Sequence, residues 1–397
     1  MLCLWSRFTV LSIFSVLTLC SLLFGQAVTY KVVPINSPFD PPGRVSANGF
    51  NKYRAVAAVD RLSGRARMGF IWRAGKGTPF PTLGGTCSSA NGISDHGHVA
   101  GSSCLPGDVE FHATLYRSGH LLDLGTFGGI YSSAGRVNKT DQVTGSFTTS
   151  GGAIHSIFWQ RGKWKDLGFL GGSETFAYGL SESGVVTGQS DISNDPHPVF
   201  GIPPFHGFVW SNGTLTDMGQ VFGSDFGYTV GVDSAGRIAG ASDLAGDLGA
   251  HAYVLDNGTV TDLTPYGDGV TSWSNGINSQ GDVIGSWGFS DNDPADGPPV
   301  NTMLCPCYAV VWHNGQPTFL NDVVDPQWNL LLGLHINDRG DIVARGSFNG
   351  GPLQTVLLKP IVTASPTTSR SQLRQVEKAP IERGFHREHD GSITAIP

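Results

Sequence analysis

Short apolar runs in this chain are cut at intervals by turn residues, and the pattern repeats. Runs of this kind read as strands, and their recurrence at a fixed spacing reads as a repeat architecture. The clearest copies are Ala90-Asn91-Gly92-Ile93-Ser94, Ala134-Gly135-Arg136-Val137-Asn138, Ala177-Tyr178-Gly179-Leu180-Ser181 and Ser274-Asn275-Gly276-Ile277-Asn278, with weaker copies ending at Asn51, Asp233 and Asn337. The closing residue, the anchor, recurs at 51, 94, 138, 181, 233, 278 and 337, at intervals of 43, 44, 43, 52, 45 and 59.

Offsets inside each repeat predict two hairpins. Three residues after the anchor stands a glycine in five copies (Gly97, Gly184, Gly236, Gly281, Gly340), and seven after it a small residue in all seven: Ala58, Gly101, Gly145, Gly188, Gly240, Gly285 and Ala344. An Asn, Ser or Asp side chain can accept a hydrogen bond from backbone two residues on, and glycine can take positive φ, so the anchor opens a turn. The second hairpin carries Trp72, Tyr116, Trp159, Trp210, Leu255 or Trp312 three residues before a glycine, with Asn-Gly turns at Asn212, Asn257 and Asn314. Each repeat therefore has four short strands, which matches a propeller blade and not the shorter rung of a β-helix.

The predicted fold is all-β, a seven-bladed β-propeller over residues 28–360. The seventh repeat stops at Leu358-Lys359-Pro360 without a fourth strand, whereas Tyr30-Lys31-Val32-Val33 precedes the first repeat with nothing to pair, so the N-terminal strand is expected to close the ring. Residues 361–397 are polar without an apolar period and read as a disordered tail. Residues 1–27, with Arg7, the apolar run Phe8 to Phe24 and Gly25-Gln26-Ala27, read as a secretory signal peptide. At 17 residues that run touches the lower edge of the spanning range, so a retained anchor stays open.

Composition narrows the function classes. Glycine numbers 55, charged residues are 14%, and the formal net charge is -7, which excludes a basic phosphate-tracking surface and hence nucleic acid as the expected partner. Once the signal is removed four cysteines remain in a chain bound for an oxidising compartment. Cys87 and Cys104 flank the turn Ser94-Asp95-His96-Gly97; pairing Ile93 with His98 carries them opposite one another, so a cross-strand disulfide is expected. For Cys305-Pro306-Cys307, free thiols, a strained bridge and a soft-metal half-site all stay open.

The repeat resembles the extracellular HAF repeat family, named for a His-Ala-Phe step at the start of the third strand. That step stands here as His112-Ala113-Thr114, His206-Gly207-Phe208 and His251-Ala252-Tyr253. The family's Asp-Leu-Gly-x-Leu-Gly-Gly fourth strand is matched by Asp123-Leu124-Gly125-Thr126-Phe127-Gly128-Gly129 and Asp166-Leu167-Gly168-Phe169-Leu170-Gly171-Gly172. The resemblance covers Ala47 to Pro360 and implies a secreted or envelope-associated bacterial protein without implying an activity. Met68, Tyr308 and Gln354 occupy the histidine position in the first and last two copies.

His112, His155, His206 and His251 recur too regularly to form one site. Equivalent third-strand positions in adjacent blades stand on the order of 15 Å apart, so one metal cannot bind two of them, and a structural role is expected for these and for Asp123, Asp166, Asp217 and Asp262. Function is sought where copies differ. The connection between second and third strands expands to Ser190 through Pro204 in the fourth repeat and to Gly288 through Pro306 in the sixth. Its acids, Asp191, Asp195, Asp291, Asp293 and Asp296, with Asp243 and Asp247 from the fifth repeat, are the candidate binding residues. Calcium is the one cofactor they suggest, and Asp291 to Gly297 is only a loose match to a calcium loop.

No catalytic motif is present: there is no Gly-x-Ser-x-Gly, His-Glu-x-x-His or phosphate-binding loop with lysine. The sequons at Asn138, Asn212 and Asn257 coincide with turns. The expectation is a monomeric binding or interaction module for an extracellular ligand, a glycan or a protein. The alternative is a propeller enzyme that cleaves extracellular carbohydrate with acids converging from several blades.

Overall fold

Two kinds of turn, each fixed by a few residue types, cut the chain into strands. At the anchor turn the side-chain oxygen caps backbone N–H groups ahead of it: Asn138 Oδ1 accepts from Thr140 N (3.1 Å) and Gln142 N (3.1 Å), and Asn51, Asp233, Asn278 and Asn337 accept from the same two offsets. The left-handed position three residues on is filled by glycine in five copies and by Arg54 (φ 64°) and Asp141 (φ 60°) in the other two. In the second hairpin both central residues have positive φ, as in Asn212 (51°) and Gly213 (96°), the geometry that matches strand twist.

The computed structural model describes residues 28–361 except 41–43, 62–66, 199, 247–248, 265–269 and 290–306, together with 385–387 and 393–395. β1 (Thr29–Pro34) comes first; β2 (Arg44–Phe50), β3 (Val56–Arg61), β4 (Arg67–Arg73) and β5 (Lys76–Pro79) then form an antiparallel sheet in chain order. The same meander is built by β6 (Ser88–Ile93), β7 (Val99–Cys104), β8 (Phe111–Arg117) and β9 (His120–Gly125), and by β10 (Ser132–Val137), β11 (Val143–Thr148), β12 (Ile154–Gln160) and β13 (Lys163–Asp166). Next come β14 (Thr175–Leu180), β15 (Val186–Asp191), β16 (Phe205–Ser211) and β17 (Thr214–Asp217), joined through one parallel pair, Phe205 with Phe226, to β18 (Gly223–Val232), β19 (Ile238–Leu244), β20 (Ala250–Asp256) and β21 (Thr259–Asp262). β22 (Val270–Ile277), β23 (Val283–Phe289), β24 (Tyr308–His313) and β25 (Gln316–Phe319) repeat the meander. The last sheet has β26 (Trp328–Ile336), β27 (Ile342–Phe348) and β28 (Gln354–Ile361), and its fourth strand is β1.

β1 runs antiparallel to β28, with Tyr30 opposite Pro360, Val32 opposite Leu358 and Pro34 opposite Val356. The last sheet also bonds to the first. Asn337 Nδ2 donates to Asn51 O (3.2 Å), Thr355 Oγ1 to Val45 O (2.9 Å), and Arg54 pairs with the buried Asp341 at 2.8 Å. Val56, Phe70 and Trp72 share a core cluster with Val343 and Leu357. The apolar core thus lies between neighbouring sheets, each contributing one face.

A bulge in the first strand of each unit accounts for the small residue opposite it. The register slips between Ala90 and Gly92, Ala134 and Arg136, and Ala177 and Gly179, among others. At the slip the preceding carbonyl leans over the second strand: a Cβ on Gly101, Gly145 or Gly285 would stand within about 2 Å of Ser89 O, Ser133 O or Trp273 O. Glycine there answers a backbone contact within the sheet.

The bulge also corrects the expected hairpin register. Ile93 pairs with Val99, not His98, and the slip at Asn91 restores the register so that Cys104 N donates to Cys87 O at 3.0 Å. The predicted disulfide between Cys87 and Cys104 is present, with Cα atoms 5.3 Å apart. Cys307 is buried, while Cys305 lies outside the described residues. Beyond the sheets, β29 (Phe385–Arg387) pairs with β30 (Ile393–Ala395). The remainder of the expected tail and the whole expected signal segment lie outside the described residues. No helix among the described residues is long and apolar enough to cross a membrane.

Two stability outcomes follow from these contacts. Deleting Thr29 to Ile35 exposes the edge of β28 and uncovers Leu358 and Val356, so the whole 28–361 unit should melt earlier; a melt that coincides with the intact chain would show that β1 is dispensable. Replacing Cys87 and Cys104 with serine should cost about 2–3 kcal/mol for a loop of this size, read by denaturant titration, and non-reducing peptide mapping should find both thiols blocked.

Candidate functional site

The regular histidines and aspartates turn out to be partners. His112 Nδ1 lies 2.9 Å from Asp123, His155 Nδ1 2.7 Å from Asp166, His206 Nδ1 2.8 Å from Asp217 and His251 Nδ1 2.9 Å from Asp262. The same aspartates accept a backbone N–H two residues on, from Gly125, Gly168, Gly219 and Thr264. Each pair ties the third strand of a sheet to the end of its fourth. Where the histidine is replaced by Tyr308, the aspartate position is Phe319, and the two rings meet edge-on at 6.2 Å. The substitution is therefore coupled, as a packing role requires. Among the described residues no three His, Cys, Asp or Glu side chains converge to hold a metal ion.

Unlike side chains converge at the inner ends of the first strands. A pocket of about 270 Å³ is lined by residues of the first four repeats and the last two. Register within the repeat orders it in three levels. Three positions before the anchors, the bulge carbonyls of Asn48, Asn91 and Gly135 surround the guanidinium of Arg136, whose Nη1 donates to them at 3.1, 3.4 and 3.2 Å. One position before the anchors, Ile93, Val137, Leu180, Ile277 and Ile336 touch the pocket while packing in the apolar cores between sheets. One position after them stand Lys52, Asp95, Glu182 and Asp338 at the rim.

Arg136 forms no ion pair among the described residues, and burial lowers its pKa. Backbone carbonyls are its only partners there. Each hydrogen bond to a charged group contributes about 1.5–3 kcal/mol, against the larger penalty of a guanidinium withdrawn from water. Beside it, burial first and the charge of Arg136 second push His335 down to about 4, so it is neutral near pH 7; its Nε2 lies 3.4 Å from Ala47 O. At the rim Lys52 is neutralised by Asp95 at 3.0 Å, whereas Asp338 accepts Ser279 N at 2.8 Å and pairs with no cation among the described residues.

Of the loop acids predicted from sequence, Asp191, Asp195 and Asp243 stand at or beyond the far end of the second strand, away from the anchor turn. Asp191 and Asp243 each stand ten residues after their anchors, at equivalent positions of β15 and β19. Asp191 raises the pKa of Tyr178 and Asp243 that of Tyr228, in both cases behind burial as the main cause, and the two rings meet edge-on at 6.3 Å. Asp195 is exposed, its N–H donating to Ser193 Oγ at 3.0 Å. Asp247, Asp291, Asp293 and Asp296 lie outside the described residues. Neither Arg136 nor the Tyr178–Tyr228 pair was singled out from sequence, although each occupies an anchor-strand position where its counterparts differ: Arg136 aligns with Gly92 and Tyr178 with Asn91.

Neither a protein-family model nor a curated protein sequence matches the chain. Among solved structures it is similar to the β-propeller domain of the Trilobed protease from Pyrococcus furiosus, with a TM-score of 0.54 and 10% identity over 80% of this chain and 97% of that one. It is also similar to a puromycin-hydrolyzing peptidase from Mycobacterium tuberculosis (TM-score 0.54, 12% identity, 91% of this chain) and to a prolyl endopeptidase (TM-score 0.50, 13% identity, 92% of this chain). The chain spans 60% and 54% of those two peptidases. At such identities the likeness is one of fold: this is a propeller-like repeat protein.

Replacing His155 with Ala, Asp166 with Asn, and both together should each cost about 1–2 kcal/mol, with the double variant little worse than either single one. Additive losses in a double-mutant cycle would show that the pair does not act as a unit. Asp191 yields a pH signature. Burial first, then Glu174, push its carboxyl from 3.8 up to about 6, so the folded state holds a proton the unfolded chain has released. That stability is complete below the unfolded value and is lost as pH rises through about 6. Thermal melts of Asp191→Asn should lack this fall, and an unchanged pH profile would dismiss it.

Proposed function

We propose that residues 28–361 form a seven-bladed propeller, closed by β1 on the last sheet, that works as a secreted or envelope-associated binding module with its ligand in the axial pocket. Closure is supported by the pairing of β1 with β28 and by the bond from Asn337 to Asn51. The compartment is supported by the Cys87–Cys104 disulfide and by the export-like start of the sequence, and the motif resemblance to HAF repeats points the same way. One observation carries the site: a guanidinium with no counter-charge among the described residues is held where six repeats bring unlike groups together. A ligand site needs that asymmetry, which the repeated His–Asp pairs lack.

The pH-shifted Asp191 beside Glu174 favours a second reading, in which the loop face binds or cleaves carbohydrate through Asp191, Asp195 and Asp243 with Asp247, Asp291, Asp293 and Asp296, directly or through calcium. The two readings separate in one experiment. The purified chain is screened by thermal shift against glycans, peptides and small metabolites, with and without calcium. A stabilising compound whose effect is lost in Leu180→Trp, which fills the axial pocket, and kept in Asp191→Asn supports the axial site. The reverse moves the site to the loop face, and an effect kept by both variants overturns both assignments.

A further inference from the structure

We propose that the axial pocket binds a small amino carboxylate whose carboxylate meets the guanidinium of Arg136 and whose ammonium group meets the acidic rim at Glu182 and Asp338. The inference rests on the axial-pocket reading and adds the chemistry of its occupant.

Arg136 supplies the first half. Only its Nη1 is bonded, to three backbone carbonyls; Nε and Nη2 have no partner among the described residues. That leaves the planar fork that matches a carboxylate through two parallel N–H···O bonds. An anion there also restores the counter-charge that the fold omits, while neutral His335 adds no charge of its own.

The rim supplies the second half, and it discriminates among anions. Glu182 Oε2 accepts Lys139 N at 3.1 Å and lies 3.9 Å from Lys139 Nζ in an exposed pair, and Asp338 has no cation among the described residues. With Lys52 taken up by Asp95, the mouth is net negative. Phosphate or a dicarboxylate entering past it is repelled, whereas a ligand with a trailing ammonium group is attracted at both ends. Between the two charged levels the pocket touches Ile93, Val137, Leu180, Ile277 and Ile336, against which the methylene groups of such a ligand would lie.

Size and depth narrow the class. At about 270 Å³ the pocket falls below the range of roughly 300–1,000 Å³ usual for drug-sized ligands. The guanidinium sits at the level three positions before the anchors and the acids one position after them, four residues or roughly 13 Å apart at strand spacing. An extended amino carboxylate of five or six carbons spans that gap with one hydrogen bond at each end, and glycine does not.

Calorimetric titration of the full chain with 4-aminobutyrate, 6-aminohexanoate, butyrate, hexanoate, butylamine and glycine tests this directly. 6-Aminohexanoate should bind at least about 10-fold tighter than hexanoate and tighter than 4-aminobutyrate, with butylamine and glycine weaker still, and Arg136→Gln should weaken it roughly 10- to 100-fold. Because Arg136 also links three strands, that variant may not be taken alone: Glu182→Gln with Asp338→Asn, both at the rim, should reduce each amino carboxylate to the affinity of its matched carboxylate. Equal affinity of the two series for the unaltered chain, retained preference in the rim variant, or no binding of either series overturns the proposal. If no member binds yet another compound loses its effect in Leu180→Trp, the axial pocket stands and only this ligand class falls.

Discussion

The anchor side chain is the constraint on which the rest of the molecule depends, because one residue sets a turn and, where it is asparagine, also joins two sheets. Its oxygen caps its own hairpin, and its Nδ2 then reaches the anchor carbonyl of the next repeat: Asn51 to Ser94 (2.9 Å), Asn138 to Ser181 (3.0 Å) and Asn278 to Asn337 (3.3 Å). At those same three joints the residue after the second anchor, Asp95, Glu182 or Asp338, accepts the N–H of the residue after the first. Serine and aspartate can cap but have no amide to pass on. The choice among the anchor residues therefore records which joints carry the extra bond.

Further out, sheets are joined by a different device. Ser132 Oγ, Thr175 Oγ1 and Ser272 Oγ accept the N–H of Ala113, Ser156 and Ala252, the residue just after each third-strand histidine. The histidine itself is occupied by its aspartate. Each such bond contributes about 1 kcal/mol, modest alone and effective by repetition around the fold. Replacing a His–Asp pair by Tyr308 and Phe319 keeps the two strands in contact through rings instead of charge, so that joint is made by packing.

A scaffold built from repeated, mutually satisfied groups leaves few polar atoms for anything else. Two places depart from the repeat pattern, Arg136 among the backbone carbonyls of three repeats and Asp191 with the Tyr178–Tyr228 pair. Both places draw on several sheets. A scaffold rigid enough to hold a guanidinium against three carbonyls is also rigid enough to present it to a ligand, which is the physical basis of the proposed site.

The sequence by itself determined the strands, their grouping in fours, the pairing partner of the N-terminal strand and the Cys87–Cys104 bridge, because each depends on local turn chemistry and short offsets that recur seven times. It also marked the histidines and aspartates as scaffold without revealing that they are partners, although the spacing of eleven residues in four copies held that information. The bulge was invisible: nothing local says that Asn91 takes an extra place in the register, so the expected pairing of Ile93 missed by one residue. The axial pocket was equally out of reach. Arg136 is one arginine among many until the sheets assemble, and only then do the carbonyls of Asn48, Asn91 and Gly135, drawn from three repeats, close around it. The contacts to Asn48 and Asn91 join residues 88 and 45 positions apart, and their geometry is set by the twist and packing of whole sheets, which no short window of sequence encodes.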